Sequence, residues 1–128
     1  MSYFVETMAK GNYLGEFEQV VLLAVVRLGN EAYGMTVRRE IAERTGRNVS
    51  IGAVYVTLDR LEEKGYVKSW SGDPTLARGG RAKRFFRIQA AGATALRESR
   101  EALAAMESGL APNWGNVCAL RHLTLRTF

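Results

Sequence analysis

The residues of this chain with the clearest chemistry are cations grouped around a pair of glycines: Arg78, Gly79, Gly80, Arg81, Lys83 and Arg84. Guanidinium and ammonium groups on a segment that two glycines leave bendable can neutralise phosphates or enter the minor groove of a duplex. The stretch 72–88 carries five basic residues, these four and Arg87, against one acidic residue, Asp73. It therefore holds +4 of the formal net charge of +5. Taken alone, a charged run is equally a solvated face. Little else could do chemistry. There is one histidine, His122, and one cysteine, Cys118. Neither a phosphate-binding loop nor an acid–base pair in register is present, so an enzyme is not expected. One cysteine excludes an internal disulfide, and a lone histidine beside it falls short of a metal cage. No cofactor or metal site is expected, and Cys118 and His122 read as surface or packing residues.

The 128 residues suffice for one compact domain plus an appendage, and 47% hydrophobic with 24% charged residues is an ordinary globular balance. No segment approaches the roughly 18 uninterrupted apolar residues of a membrane span. The run Val20 to Val26 follows Glu16, Glu18 and Gln19 and is closed by Arg27. The N-terminus lacks a basic stretch followed by an apolar run and cleavage site, so a cytoplasmic setting is expected.

The elements that must position the cations can be placed by pattern. Residues 1–12 read as a loose arm, within which Met8 is an alternative start. Residues 15–28 read as a helix with acidic residues in its first turn and Gly29-Asn30 as its stop. Its Val/Leu run could also make a buried strand, but length and the Gly-Asn stop favour a buried helix. Residues 33–46 read as a second helix, with Tyr33, Val37 and Ile41 on one face, Glu40 paired to Arg44, and Gly46 as a left-handed C-cap. Residues 50–64 read as a third, with Ser50 as N-cap and an apolar stripe of Ile51, Val54, Tyr55, Leu58 and Leu61. Residues 66–70 and 83–88 read as two strands of a hairpin around the Gly-containing loop. Residues 90–110 read as a long Ala-rich helix, which Pro112 breaks. Leu96, Leu103 and Leu110 repeat every seven residues on it, with Met106 beside them. Self-association would cover that stripe; packing back on the first helix is the alternative.

Helix, helix, short turn, helix, strand, basic loop, strand describes a winged helix-turn-helix: mainly α with a small β-hairpin (α+β), followed by a C-terminal dimerisation helix. The major groove admits one α-helix, and the third is the candidate. With its stripe packed inward, Ser50, Gly52, Ala53, Val56, Thr57 and Arg60 are expected to face outward. Gly52 and Ala53 would let the backbone come close to a duplex. Ser50 and Thr57 can bond phosphates or base edges, and Val56 can touch a thymine methyl. Gly34 and Gly52 equally suit turns and packing. Tyr55 equally suits a core aromatic with its hydroxyl at the rim, within reach of a phosphate. Arg78, Arg81, Lys83 and Arg84 are the expected wing contacts. Trp70, Phe85 and Phe86 read as covers of the core.

These patterns resemble the PadR family of bacterial transcriptional regulators. LGEFEQ (14–19), AYG (32–34), SIGAVYVTLDRLEEKG (50–65) and GGRAKRFF (79–86) carry the resemblance, which spans about residues 10–105. It implies a homodimer, usually a repressor, joined through the C-terminal and N-terminal helices and bound to an inverted repeat in a promoter. It places Ser50, Tyr55 and Thr57 on the recognition helix and Arg81, Lys83 and Arg84 on the wing. Larger members carry a multi-helix C-terminal domain; a single helix here resembles the short subgroup. Some short members bind planar aromatic drugs against a tryptophan at the dimer interface. Here Trp114 lies beyond the helix, in a tail without a family counterpart, so a small-molecule effector is left unidentified.

The expected organisation is an arm (1–12), a winged helix-turn-helix (13–88), a dimerisation helix (89–111) formed by Leu96, Leu103, Met106 and Leu110, and a tail (112–128) of unassigned role. The expected function is sequence-specific binding of double-stranded DNA. The alternative is a winged helix that only contacts proteins, its cations meeting an acidic partner, since a fold does not dictate a function.

Overall fold

A computed structural model of the chain describes residues 13–72, 83–112 and 114. The expected arm, the hairpin tip with Arg78 and Arg81, and Cys118 and His122 of the tail lie outside the described residues. Helix α1 (Glu16–Leu28) is followed by a short 3-10 turn (Gly29–Glu31), α2 (Gly34–Thr45), α3 (Ile51–Glu63), β1 (Val67–Ser71), β2 (Arg84–Ile88) and α4 (Ala90–Glu107).

Each helix begins and ends where local chemistry satisfies its free backbone groups. The Val/Leu run of α1 is helical, not a strand. Glu18 Oε1 accepts the Gly15 N–H at 2.9 Å, and Gly29 ends the helix with its N–H on the Val25 carbonyl. On α2, Thr36 Oγ1 accepts the Tyr33 N–H at 3.0 Å. Its end is the expected left-handed cap, Gly46 at φ 73°. Glu40 of α2 bonds both Arg44, one turn on, and Arg27 of α1, at 2.6 and 3.0 Å. Ser50 caps α3 as expected, its Oγ accepting the Ala53 N–H at 3.0 Å. Val21, Leu22 and Val25 of α1, Val37 and Ile41 of α2, and Val54, Leu58 and Leu61 of α3 form one buried cluster.

The strands pair antiparallel with Val67 opposite Ile88 and Ser71 opposite Arg84. Phe86 of β2 is fully buried beneath them. The chain between α1 and α2 also lies along β2: the Phe86 N–H donates to the Ala32 carbonyl at 2.8 Å, and Tyr33 bridges to Phe85. Two residues are too few for an alternating pattern, so no strand was expected there.

Helix α4 departs from expectation in two ways. It ends at Glu107 rather than 110. And its first half packs on the rest of the chain through Gly92, Ala95, Leu96 and Ser99, spaced at successive helical turns. Ser99 Oγ accepts the buried Leu14 N–H at 2.9 Å and donates to the Ala95 carbonyl at 2.8 Å, pinning α4 to the start of α1. At Gly92 the helix crosses the Tyr66 backbone so closely that a Cβ would overlap the Tyr66 carbonyl, which already accepts the Gln89 N–H at 2.8 Å. Gly→Ala inside a helix ordinarily adds about 1 kcal/mol of helix propensity. Gly92→Ala should instead destabilise by about 2 kcal/mol, because backbone must move to admit the methyl. A chemical-denaturation midpoint at or above the wild-type value would contradict this contact.

Glu18 is a buried carboxylate. Its Oε2 lies 2.9 Å from Lys64 Nζ, tying α1 to the end of α3. Burial pushes the carboxyl up, but the Lys64 hydrogen bond and the Gly15 N–H outweigh it and hold it below the usual carboxylate range. A depressed folded value means its contribution is full above the ordinary glutamate pKa and is lost as pH falls through the folded one. Accordingly, Glu18→Gln should be less stable than wild type at neutral pH, and the gap should close on acidification. A gap that stays constant down to strongly acidic pH would argue against this ion pair.

Candidate nucleic-acid interface

Helix α3 separates two surfaces. Val54, Thr57, Leu58 and Leu61 are buried, while Gly52, Ala53, Val56 and Arg60 are exposed. Val56 keeps 56% of its surface, and Thr57 only 5%. Thr57 therefore does not face outward as expected. It sits one turn after Val54 and one before Leu61, at the edge of the buried stripe. Ser50 is exposed at the N-terminus, one lone pair engaged in the cap and the hydroxyl proton available to a partner. Tyr55 is half-buried, its ring filling the space a side chain at Gly34 would need. Gly34 is thus required for α2 and α3 to pack, and Tyr55 joins them.

The outward face of α3 is low in relief, from Gly52 and Ala53 to the single branched side chain of Val56. Beside its N-terminus, Met35, Arg38, Arg39 and Ala42 of α2 and Asn48 and Val49 of the turn line a shallow hollow. Arg38 Nε donates to the Val49 carbonyl at 2.8 Å and holds the turn. Arg39 and Arg60 are exposed and make no salt bridge among the described residues, Arg60 acting on Glu18 only through its charge. Arg38 and Arg39 were not among the site residues expected from the sequence. Their signal was the adjacent arginine pair on the polar face of the helix preceding the turn.

The hairpin base is stiffened by an aromatic ladder. Trp70 stacks on Phe85 with ring centroids 5.7 Å apart, and Phe85 meets Tyr33 edge-on at 5.4 Å. Arg87 lies 5.0 Å over the Trp70 ring and Lys83 4.5 Å over that of Tyr33. Trp70 and Phe85 thus cover the hairpin's outer side, and of these three aromatics only Phe86 enters the core. Lys83 remains exposed where the strand leaves for the wing tip. Arg84 does not stand free as expected. Its Nη1 lies 2.8 Å from Asp59 Oδ1 and its Nη2 2.5 Å from Glu62 Oε1, both on α3. Glu62 Oε2 accepts the Ser69 hydroxyl at 2.6 Å and the Ser69 N–H at 3.1 Å. That hydroxyl bond leads in holding the Glu62 carboxyl below the usual range; burial opposes it, and the Arg84 bond adds to it.

The expected heptad stripe divides. Leu96 keeps only 8% of its surface and belongs to the protomer's own core, whereas Leu103 keeps 58%, Met106 79% and Leu110 54%. Ser99, against Leu14 at the start of α1, is the last buried residue of α4. A groove lined by Tyr13, Leu14, Val20, Leu23, Ser99 and Leu103 leads from α1 to this exposed half.

Three packed helices, the third open along one side and followed by an antiparallel hairpin, are the parts of a winged helix-turn-helix. The chain belongs to the PadR-like family of transcriptional regulators, whose model matches residues 22–98. Similar solved structures include a transcriptional regulator from Clostridium thermocellum, 22% identical, covering 70% of this chain and 82% of that one, at a TM-score of 0.60. A PadR family transcription regulator from Clostridium difficile R20291 is 20% identical, covering 71% and 91%, at 0.58. A PadR family transcriptional regulator from Eggerthella lenta DSM 2243 is 22% identical, covering 99% and 96%, at 0.53. These structures share the fold. No curated protein matches the chain. Among the described residues, no helix is long and apolar enough to cross a membrane.

Proposed function

We propose that this regulator binds double-stranded DNA as a homodimeric repressor of a promoter with an inverted repeat. The observation that carries the reading is the exposed, low-relief face of α3 (Gly52, Ala53, Val56 and Arg60), capped by Ser50 and flanked by unpaired Arg39. A major groove accepts a helix of that profile, and the positive end of the α3 dipole favours phosphate beside Ser50. In this reading Ser50, Val56 and Arg60 meet base edges or phosphates, and Gly52 and Ala53 permit the approach. Tyr55 contributes at most its hydroxyl. Lys83, with Arg78 and Arg81 of the wing tip, neutralises phosphates. Residues 13–88 form the DNA-binding unit and 89–111 the dimerisation helix, through Leu103, Met106 and Leu110 rather than Leu96.

A two-fold dimer would read half-sites about 34 Å apart, one helical turn. With about four phosphates neutralised per protomer, log affinity should fall against log salt with a slope near −7. Selection of bound duplexes from a random pool tests the reading. Recovered inverted repeats with that spacing support it. Absence of any duplex binding at low salt overturns it and favours a winged helix that contacts proteins only.

A further inference from the structure

We infer that Arg84 is a positioning residue that locks the wing hairpin to the recognition helix and masks that helix's carboxylates, and that it does not itself bind phosphate. The inference rests on the duplex-DNA reading above. The Arg84 guanidinium spans two carboxylates on successive turns of α3, at 2.8 Å from Asp59 and 2.5 Å from Glu62. Its Cζ also lies 4.7 Å over the ring of Phe86, which is fully buried. Glu62 is held from the other strand as well, by the Ser69 N–H and hydroxyl. One carboxylate thus bonds both strands of the hairpin: β1 through Ser69 and β2 through Arg84. Ser71 lies opposite Arg84 in the register, so this clamp sits at the last pair before the wing tip.

Two physical consequences follow. The two strands cannot swing relative to α3 without breaking charged hydrogen bonds, so the base of the hairpin keeps a set angle to the recognition helix. And Asp59, beside Arg60 on the exposed side of α3, would repel a DNA backbone if left unpaired. Arg84 supplies the compensating charge from within the protein. A guanidinium so occupied releases few counterions on DNA binding, which separates it from Lys83, Arg78 and Arg81.

The salt dependence of duplex binding distinguishes the two roles. Arg84→Ala should weaken binding about tenfold at fixed salt and leave the log–log salt slope unchanged. Arg84→Lys should restore part of the affinity through its charge. Adding Asp59→Asn and Glu62→Gln to Arg84→Ala should recover most of it, because the exposed carboxylates are then gone. A phosphate contact predicts the reverse: the slope becomes shallower by about 0.9 per protomer, and neutralising Asp59 and Glu62 gives no specific rescue. That result, with wild-type binding intact, overturns the inference while leaving the DNA reading in place. Lack of duplex binding by the wild type overturns both. Should Arg84→Ala fail to fold, as judged by its thermal transition, Arg84→Lys decides: an unchanged slope with reduced affinity supports positioning, and unchanged affinity refutes it.

Discussion

Leu103→Lys is expected to convert a dimer into a monomer and to lower operator affinity on the order of a thousandfold, the scale of avidity lost when two linked half-sites act separately. Leu103 and Met106 are large apolar residues left open on the second half of α4, and Leu110 is left open just past its end. Burying one such side chain is worth about 1.5–3 kcal/mol, and two-fold symmetry counts each residue twice. A lysine placed in that seam would have to desolvate an ammonium without a partner. Because Leu103 lies outside the protomer core, the helical content of the variant should match that of wild type. Sedimentation of both proteins at micromolar concentration, alongside an operator titration, makes the measurement. A dimer persisting in the variant would place the interface elsewhere on the molecule.

Val56→Glu is expected to lower duplex affinity about a hundredfold or more while changing stability by no more than about 0.5 kcal/mol. Its side chain is exposed at the centre of the outward face of α3, so the fold does not depend on it. Glutamate is a good helix former, and the cost arises only when a carboxylate is pressed against the duplex. Thr57→Ala, one residue on, should behave oppositely. Thr57 is buried on the core side of α3, so truncation should lower the thermal midpoint and leave base preference as it was. Circular dichroism melts paired with binding isotherms on matched and scrambled duplexes separate the two patterns. Equal binding losses for both variants would mean that the outward face of α3 is not the recognition surface.

The contrast between Val56 and Thr57 shows how far periodicity reaches. An apolar stripe locates the core side of a helix well, and it placed Val54, Leu58 and Leu61 correctly. It says less about a polar residue on the stripe's edge. Thr57 was assigned outward for its hydroxyl, yet it lies at the edge of the stripe beside Leu61, on the buried side of the helix. Arg84 illustrates a second limit. Its position in a run of cations signalled a contact with phosphate, but its partners, Asp59 and Glu62, are on another element and are met only when the hairpin folds onto α3. Leu96 and Leu103 share one heptad position and part company for a similar reason: the chain's own core covers Leu96, and Leu103 is left at the edge of a groove beside Val20 and Leu23 of α1.

What could be read from the amino acids alone was whatever depends on neighbours along the chain. The caps at Ser50 and Gly46, the helical periods, the strand pair and the concentration of cations between residues 72 and 88 all have local causes, and with the PadR-like motifs they defined the architecture. Folding settled the matters that depend on distant partners. It gave Ala32 and Tyr33 a place along β2, it made Gly92 the crossing point of α4, and it split the basic segment by pairing Arg84 while leaving Lys83 exposed. Charge counts along a sequence cannot distinguish these cations, because an ion pair is set by distance in space, and the carboxylates that neutralise Arg84 are 22 and 25 residues away.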